Sequence, residues 1–441
     1  MFNGTPTLET TPRQRPSRKT TATPTPASTA GVRPWSVMHA TEHVRGVLEV
    51  AEAQRDAGMR PVLVTPEGYG SIELYLRTPP AEEGQVSLLS TWQEVRQWRK
   101  SLADCAGGAT MDIVHAHCFA AGMSGVRNWP AVVYDLRGCV EHDADASQQW
   151  LARSLRVAEQ FVLTRAQAVV VHWPSLRAAA VERGASEEHI FVIPDPVTLP
   201  AYANSNNAHR DLHDDDFSTG DYARDAWPQV IGLPPGVITF FATDVHTSDF
   251  DLLLSAFTQV ISEVENPGLE NPGVENVVLL LEGDPASAAL RSKLAAAGIS
   301  RAVRLLTPQQ RTGALHNADV ILTGGPATNG PNAAGLEAMR AGRAVLAADT
   351  VANRDLSPEG RGCLWYKPGD ARDLAGRAAF LARNPDFRRA LGQAALSFLA
   401  ETRSPQAVAR QYDAAYRHAF ARRRDESQNL FGRLQPLQAA F

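Results

Sequence analysis

What this 441-residue sequence lacks narrows its chemistry first. Its four cysteines (Cys105, Cys118, Cys139 and Cys363) are far apart and contain no CxxC pair. That excludes a disulfide framework and a cysteine-based zinc spacing, so reduced, buried thiols and no metal site are expected. No apolar run reaches the ~18–20 residues that cross a bilayer. The opening segment, MFNGTPTLETTPRQRPSRKTTATPTPASTAG, has no apolar core of a secretion signal, and a cytoplasmic protein is expected. A formal net charge of −5 offers nucleic acid no general attraction. GxSxG, HExxH and GxxxxGK[ST] are all missing, which removes the hydrolase elbow, the zincin helix and the Walker phosphate loop.

What is present is ordinary for a globular chain: 44% hydrophobic and 21% charged residues. At roughly 100–200 residues per domain, the length suits two cores. The Thr/Pro/Ser-rich start carries Arg13, Arg15, Arg18 and Lys19. It reads as a solvated tail, the alternative being weak peripheral contact with an anionic membrane surface at the inner face.

Beyond the tail, short apolar runs alternate with helical patterns. WSVMHA, MRPVLVTP, MDIVHAH, AVVYDLRG, QAVVVHWP and IFVIPDP read as buried strands. Between them lie VRGVLEVAEAQRDAG, stopped by Gly58, then SLRVAEQFVLTRA, and SLRAAAVERGA with Ser175 as its expected cap. Residues 198–228 break the rhythm with polar and acidic residues and read as a linker; Asp214, Asp215 and Asp216 fit a solvated loop better than a cation site. The duplicated ENPGLENPGVEN is a surface turn. Alternation resumes through GVITFFATD, VVLLLEGD, AVRLLT, DVILTGG and AVLAAD, with helices between and a helical C-terminal region.

Continuous apolar strands separated by helices predict an α/β protein of two doubly wound, Rossmann-like parallel sheets. The expected division is a tail over 1–33, a first domain over 34–197, the linker over 198–228 and a second domain over 229–402. A helix over 403–425 should return to the first domain, with a tail over 426–441. Ligands of such sheets bind beyond the carboxyl ends of the strands, in the cleft that two facing domains create.

The order of these elements, with DIVHAH, VVYDLRG and AQAVVVHWPSLRAAAVERGASEEHIFVIPDPV in the first half and FDLLLSAF, VVLLLEGDP, HNADVIL and GLEAMRAGRAVLAAD in the second, resembles the family-4-type GT-B glycosyltransferases over roughly residues 35–420. The resemblance implies a metal-independent, retaining transfer of sugar from a nucleoside-diphosphate sugar to a glycan or lipid-linked acceptor, with no cofactor beyond that donor. It implies that Glu337 accepts from the ribose hydroxyls, which a carboxylate can do with both at once. Gly330, Asn332 and Ala333 would offer backbone amides to phosphate at a helix entrance.

Three positions depart from the family pattern. Asn329 stands where a carboxylate would contact the donor sugar, so hydrogen bonding survives but charge does not. Thr243 and Ser248 replace an Arg and a Lys expected to neutralise the diphosphate. Losing two charge-assisted hydrogen bonds could cost on the order of 3–6 kcal/mol. His246 in that loop could restore part of the charge, though a plain loop histidine reads better. In the first half, MHATEHVRG lacks the usual glycine pair, and His39 and His43 have no assigned role. Arg137 resembles an arginine that binds an acceptor phosphate or carboxylate; a salt bridge to Asp135 or Glu141 is the other reading. His115 and His117 alternate along a strand, so at most one should face the cleft. The alternative to an enzyme is a non-catalytic binding or scaffold protein with a degraded donor site; a sugar-nucleotide epimerase is a distant third.

Overall fold

The computed structural model describes residues 35–41, 44–66, 68–70, 88–108, 111–129, 131–137, 149–199, 231–233, 236–243, 247–264, 277–284, 287–324 and 333–438. The basic tail, most of the acidic linker, the duplicated turn, His43, His246, Cys139 and Glu141 lie outside them, as do Asn329, Gly330 and Asn332.

Two sheets organise the chain from Trp35 onward. The first contains β1 (Ser36–Ala40), β2 (Arg60–Thr65), β3 (Gly68–Gly70), β4 (Ile113–Ala116), β5 (Val132–Leu136), β6 (Ala168–Val171) and β7 (Ile190–Val192) in the order β3-β2-β1-β4-β5-β6-β7. All its pairings are parallel except the short β2–β3 hairpin edge. The second contains β8 (Ile238–Thr243), β9 (Val277–Glu282), β10 (Val303–Leu306), β11 (Val320–Thr323), β12 (Ala344–Ala348) and β13 (Cys363–Tyr366) in the order β10-β9-β8-β11-β12-β13, parallel throughout.

Helices fill the connections: α1 (Val44–Asp56), α2 (Leu88–Gly108), α3 (Phe119–Asn128), α4 (Gln149–Arg165) and α5 (Pro174–Glu182) in the first lobe. The second holds α6 (Thr247–Val264), α7 (Ala288–Ala296), α8 (Arg311–Asn317), α9 (Ala333–Arg340), α10 (Val351–Arg354), α11 (Ala371–Arg383) and α12 (Pro385–Arg403). Finally α13 (Pro405–Gln438) closes the chain.

The strands are buried on both faces because alternate residues feed two different cores. Met38, Val114, Val132 and Val169 face one layer, and Val37, Ile113, Val133 and Val170 face the other. That second layer is completed by Val408, Tyr412, Ala415, Tyr416 and Ala419 of α13. Trp35 Nε1 also donates to Asp413 Oδ1 at 2.9 Å. In the second lobe, Phe240 and Phe241 likewise divide between the two faces. Gly342 stops α9 because its φ of +64° suits a residue without Cβ, letting the chain turn into β12.

Two local expectations are corrected. Ser175 does not cap α5: Pro174 takes the first helical position with Trp173 before it, and no side chain caps the helix. The Ser175 hydroxyl instead donates to Asp355 Oδ2, and its backbone N–H reaches Asp355 Oδ1 at 3.2 Å, tying the first lobe to the second. β13 was not anticipated; its CLWY is too short to show a period against the helices beside it. Of the described thiols, Cys105 and Cys363 are buried and Cys118 is half-buried, and none forms a disulfide.

Candidate functional site

The carboxyl ends of the central strands carry Thr243 and border the start of the helix that holds Glu337. Thr243 ends β8 and is level with Thr323, which ends the neighbouring β11. Both are buried, and Thr323 Oγ1 has no hydrogen-bond partner among the described residues. Arg311, the first residue of α8, spans this rim. Its Nη2 donates to Thr243 Oγ1 at 3.2 Å, while its Nε pairs with Glu282 Oε1 at the end of β9 at 3.0 Å. A guanidinium therefore stands at the strand end where the sequence shows only hydroxyls. The sequence pattern did not single out Arg311, because it sits 68 residues from Thr243 and in no recognised motif.

Helix α9 starts beside the same rim: the space a Cβ on Gly335 would fill is bounded by Leu356 and by Thr323 Cγ2 at 3.6 Å. Ala333 begins the helix and is exposed, and Ser248 is the second residue of α6. Glu337, one turn into α9, is held by two donors. His316 Nε2–H donates to Oε1 at 2.8 Å, and Arg340 Nη1 reaches Oε2 at 3.3 Å. The His316 hydrogen bond, helped by the Arg340 charge, keeps this half-buried carboxyl below the usual glutamate value despite its burial. Arg340 in turn donates through Nε to the Thr198 carbonyl at 3.0 Å, in the segment joining the lobes. Glu337 is thus an ionised, oriented acceptor.

The first-lobe rim is an unusually polar interior. Asp135, on β5, receives His117 Nδ1–H on Oδ2 at 2.7 Å and His172 Nε2–H on Oδ1. Arg137 Nε stands 3.4 Å from Asp135 Oδ2, and its Nη1 pairs with Asp195 at 3.0 Å. The salt-bridge reading of Arg137 through Asp135 is therefore found, with Asp195 as an additional partner. Burial alone would raise the Asp135 pKa, but His172, Arg137 and the hydrogen bonds outweigh it and hold the carboxyl well below its ordinary value. Arg137, conversely, is kept cationic against its own burial by Asp135 and Asp195.

His39, His115 and His117 meet beside this carboxylate. His39 and His115 are cross-strand partners in β1 and β4 and share the face covered by α13. His117 follows the last residue of β4, two positions after His115, and residues two apart share a face of an extended strand. The expectation that strand alternation would separate the two histidines of VHAH, leaving at most one toward the cleft, is corrected: positions two apart do not alternate, and their ring centroids are 4.0 Å apart. Burial pushes His39 down to about 3, and it lowers His115 and His117 as well, partly offset at His117 by Asp135. All three imidazoles are neutral at physiological pH.

Comparison with known proteins bears on the fold and on the first lobe. Residues 42–196 match the model of the glycosyl transferase 4-like domain. The first lobe is thus similar to a glycosyl transferase 4-like domain, and the two lobes together have the GT-B fold. The fold is shared with a glycosyltransferase from Rickettsia africae (TM-score 0.59, 13% identity, covering 88% of this chain and 99% of that one). It is shared too with Anabaena HepE in complex with UDP (0.57, 15%, 86% and 98%). Sucrose-phosphate synthase from Thermosynechococcus elongatus is a third (0.53, 15%, 88% and 99%). No curated protein matches at the level of sequence. In a fold of this kind, both rims described above border the region where ligands of open α/β sheets bind. Among the described residues no helix is long and apolar enough to cross a membrane.

Proposed function

We propose that this GT-B protein transfers a sugar from a nucleoside-diphosphate sugar to a glycan or lipid-linked acceptor, with retention and without a metal at the diphosphate. The observation that carries the reading is Arg311 at Thr243. Two cations of the family pattern are absent from the β8 loop, and a guanidinium arriving from α8 supplies a charge at the same strand end. Glu337 takes the ribose hydroxyls with the carboxylate edge not engaged by His316. The backbone at Gly330, Asn332 and Ala333 receives phosphate, and Asn329 hydrogen-bonds the donor sugar without lending it charge. The acceptor's anionic group is placed at Arg137, whose charge is maintained by Asp135 and Asp195. Closure of the lobes about contacts such as Ser175–Asp355 would exclude water from the donor. The HepE structures with UDP and with UDP-glucose support a nucleotide-sugar donor by analogy of fold.

One observation favours a second reading, in which the protein binds nucleotide without transferring sugar: the amide at Asn329 cannot steady positive charge developing at the anomeric carbon. A melting-temperature panel of nucleoside diphosphates at millimolar concentration separates these outcomes. Micromolar binding should stabilise the fold by about 4 kcal/mol at a thousandfold excess over Kd. No shift with any nucleotide would overturn both. Binding without donor hydrolysis or transfer selects the second reading.

A further inference from the structure

The histidine cluster of the first lobe has an arrangement the donor chemistry does not use. Each of the three rings has one nitrogen engaged by a polar partner behind it. His39 Nε2 meets Gln54 Oε1 at 2.7 Å, His117 Nδ1 meets Asp135 Oδ2 at 2.7 Å, and His115 Nδ1 meets the Tyr416 hydroxyl at 2.9 Å. This is how metal-bound imidazoles are oriented, the outer nitrogen donating to a carboxylate, carbonyl or similar group while the inner one keeps its lone pair. The inner nitrogens converge. His39 Nδ1 and His117 Nε2 stand 3.0 Å apart, and one ring nitrogen from each of the three residues lies within 4.8 Å of the others. With Zn–N bonds of about 2.0–2.1 Å, the edge of a tetrahedral site is roughly 3.3 Å.

Proton counting sharpens the point. If His39 donates to Gln54 and neutral His117 donates to the Asp135 carboxylate, two bare lone pairs face each other at 3.0 Å. Turning the Gln54 amide over would let His39 donate to His117 and close that contact without an ion. It would not help His115, whose Nε2 is buried and has no hydrogen-bond partner among the described residues. A buried ring nitrogen left unsatisfied within a cluster of three imidazoles calls for a partner, and a bound ion would supply it.

We propose that His39, His115 and His117 form a three-histidine site for one divalent transition metal, Zn²⁺ by its affinity for neutral imidazole, with water completing the coordination. Sequence spacing concealed it because the ligands come from two strands 76 residues apart that pair only in the folded sheet. Gln54, Asp135 and Tyr416 are the positioning residues.

The test uses the full chain without a polyhistidine tag, stripped with chelator and titrated with CoCl₂ and, separately, with ZnCl₂ followed by dialysis and metal analysis. One equivalent should bind per chain, Co²⁺ should develop the intense visible absorption of a tetrahedral site, and Zn²⁺ should bleach it. His115→Gln and His39→Gln, checked for folding by circular dichroism, should each weaken Co²⁺ binding at least tenfold. Substoichiometric metal on the unaltered protein overturns the proposal even if neither variant folds, and leaves His39 hydrogen-bonded to His117 through the turned Gln54 amide as the description. So does an undiminished cobalt spectrum in a folded variant. The read-out is metal content, so this site stands or falls separately from the donor site of the second lobe.

Discussion

Replacing Arg311 by alanine removes the guanidinium that reaches the end of β8 and tests the donor site most directly. A hydrogen bond between charged partners contributes about 1.5–3 kcal/mol, which at ~1.4 kcal/mol per decade is roughly 10- to 100-fold in affinity. Arg311 is 37% exposed and already paired with Glu282, which is 38% exposed. Water and the competing carboxylate therefore draw the loss toward the low end, about tenfold. Calorimetric titration should be run with whichever nucleoside diphosphate stabilises the protein most, and with the corresponding unphosphorylated nucleoside. Arg311→Ala should weaken the diphosphate about tenfold and leave the nucleoside nearly unchanged, with Arg311→Lys intermediate because it restores charge but not the fork geometry. Without ligand, the variant loses a donor to Thr243 Oγ1 and a part-exposed pairing with Glu282, so the melting temperature should fall modestly. Diphosphate affinity within about twofold of the unaltered protein would refute the assignment of Arg311 to the phosphates.

Further outcomes follow from neighbouring contacts. Glu337→Ala should weaken nucleotide binding, and unchanged affinity in titration would mean the ribose lies elsewhere. Because His316 and Arg340 hold the Glu337 carboxyl below its ordinary 4.5, the stability it contributes is complete above that pH and is lost as pH falls through the lower folded value. Glu337→Gln should accordingly flatten the acid limb of a plot of melting temperature against pH below 4.5. Ser175→Ala removes a hydroxyl donor from the buried Asp355 carboxyl and should cost about 1–3 kcal/mol in urea unfolding; a change near zero would show that the lobes are held by other contacts. Tyr412→Ala, in a fully buried ring of α13, should cost about 3–5 kcal/mol in the same assay.

Much of the architecture was legible in order along the chain. The buried runs SVMHA, ITFFAT and AVLAA form β1, β8 and β12, because an apolar stretch of five or six residues between helical patterns has few alternatives to an internal parallel strand. The helix of GLEAMRAG and its glycine stop were equally readable, since a left-handed φ after the last turn calls for a residue without Cβ. Ser175 misled because its residue type suits a cap, while the proline before it had already claimed the helix start.

The site was legible only in part. Glu337 and Arg137 could be singled out because each belongs to a local pattern, and local patterns survive in a string of letters. Arg311 beside Thr243, Ser175 on Asp355, and three histidines around one point belong to no such pattern. They depend on which strands become neighbours and on their register, and a shift of one residue would turn His39 or His115 to the opposite face of the sheet. Apolar periodicity thus determined the class of fold and the rims where chemistry belongs. Only strand order, register and the return of α13 onto the first sheet decided which polar groups meet there, since contacts between residues far apart in the chain are set by packing of the whole fold and not by any segment's own preference.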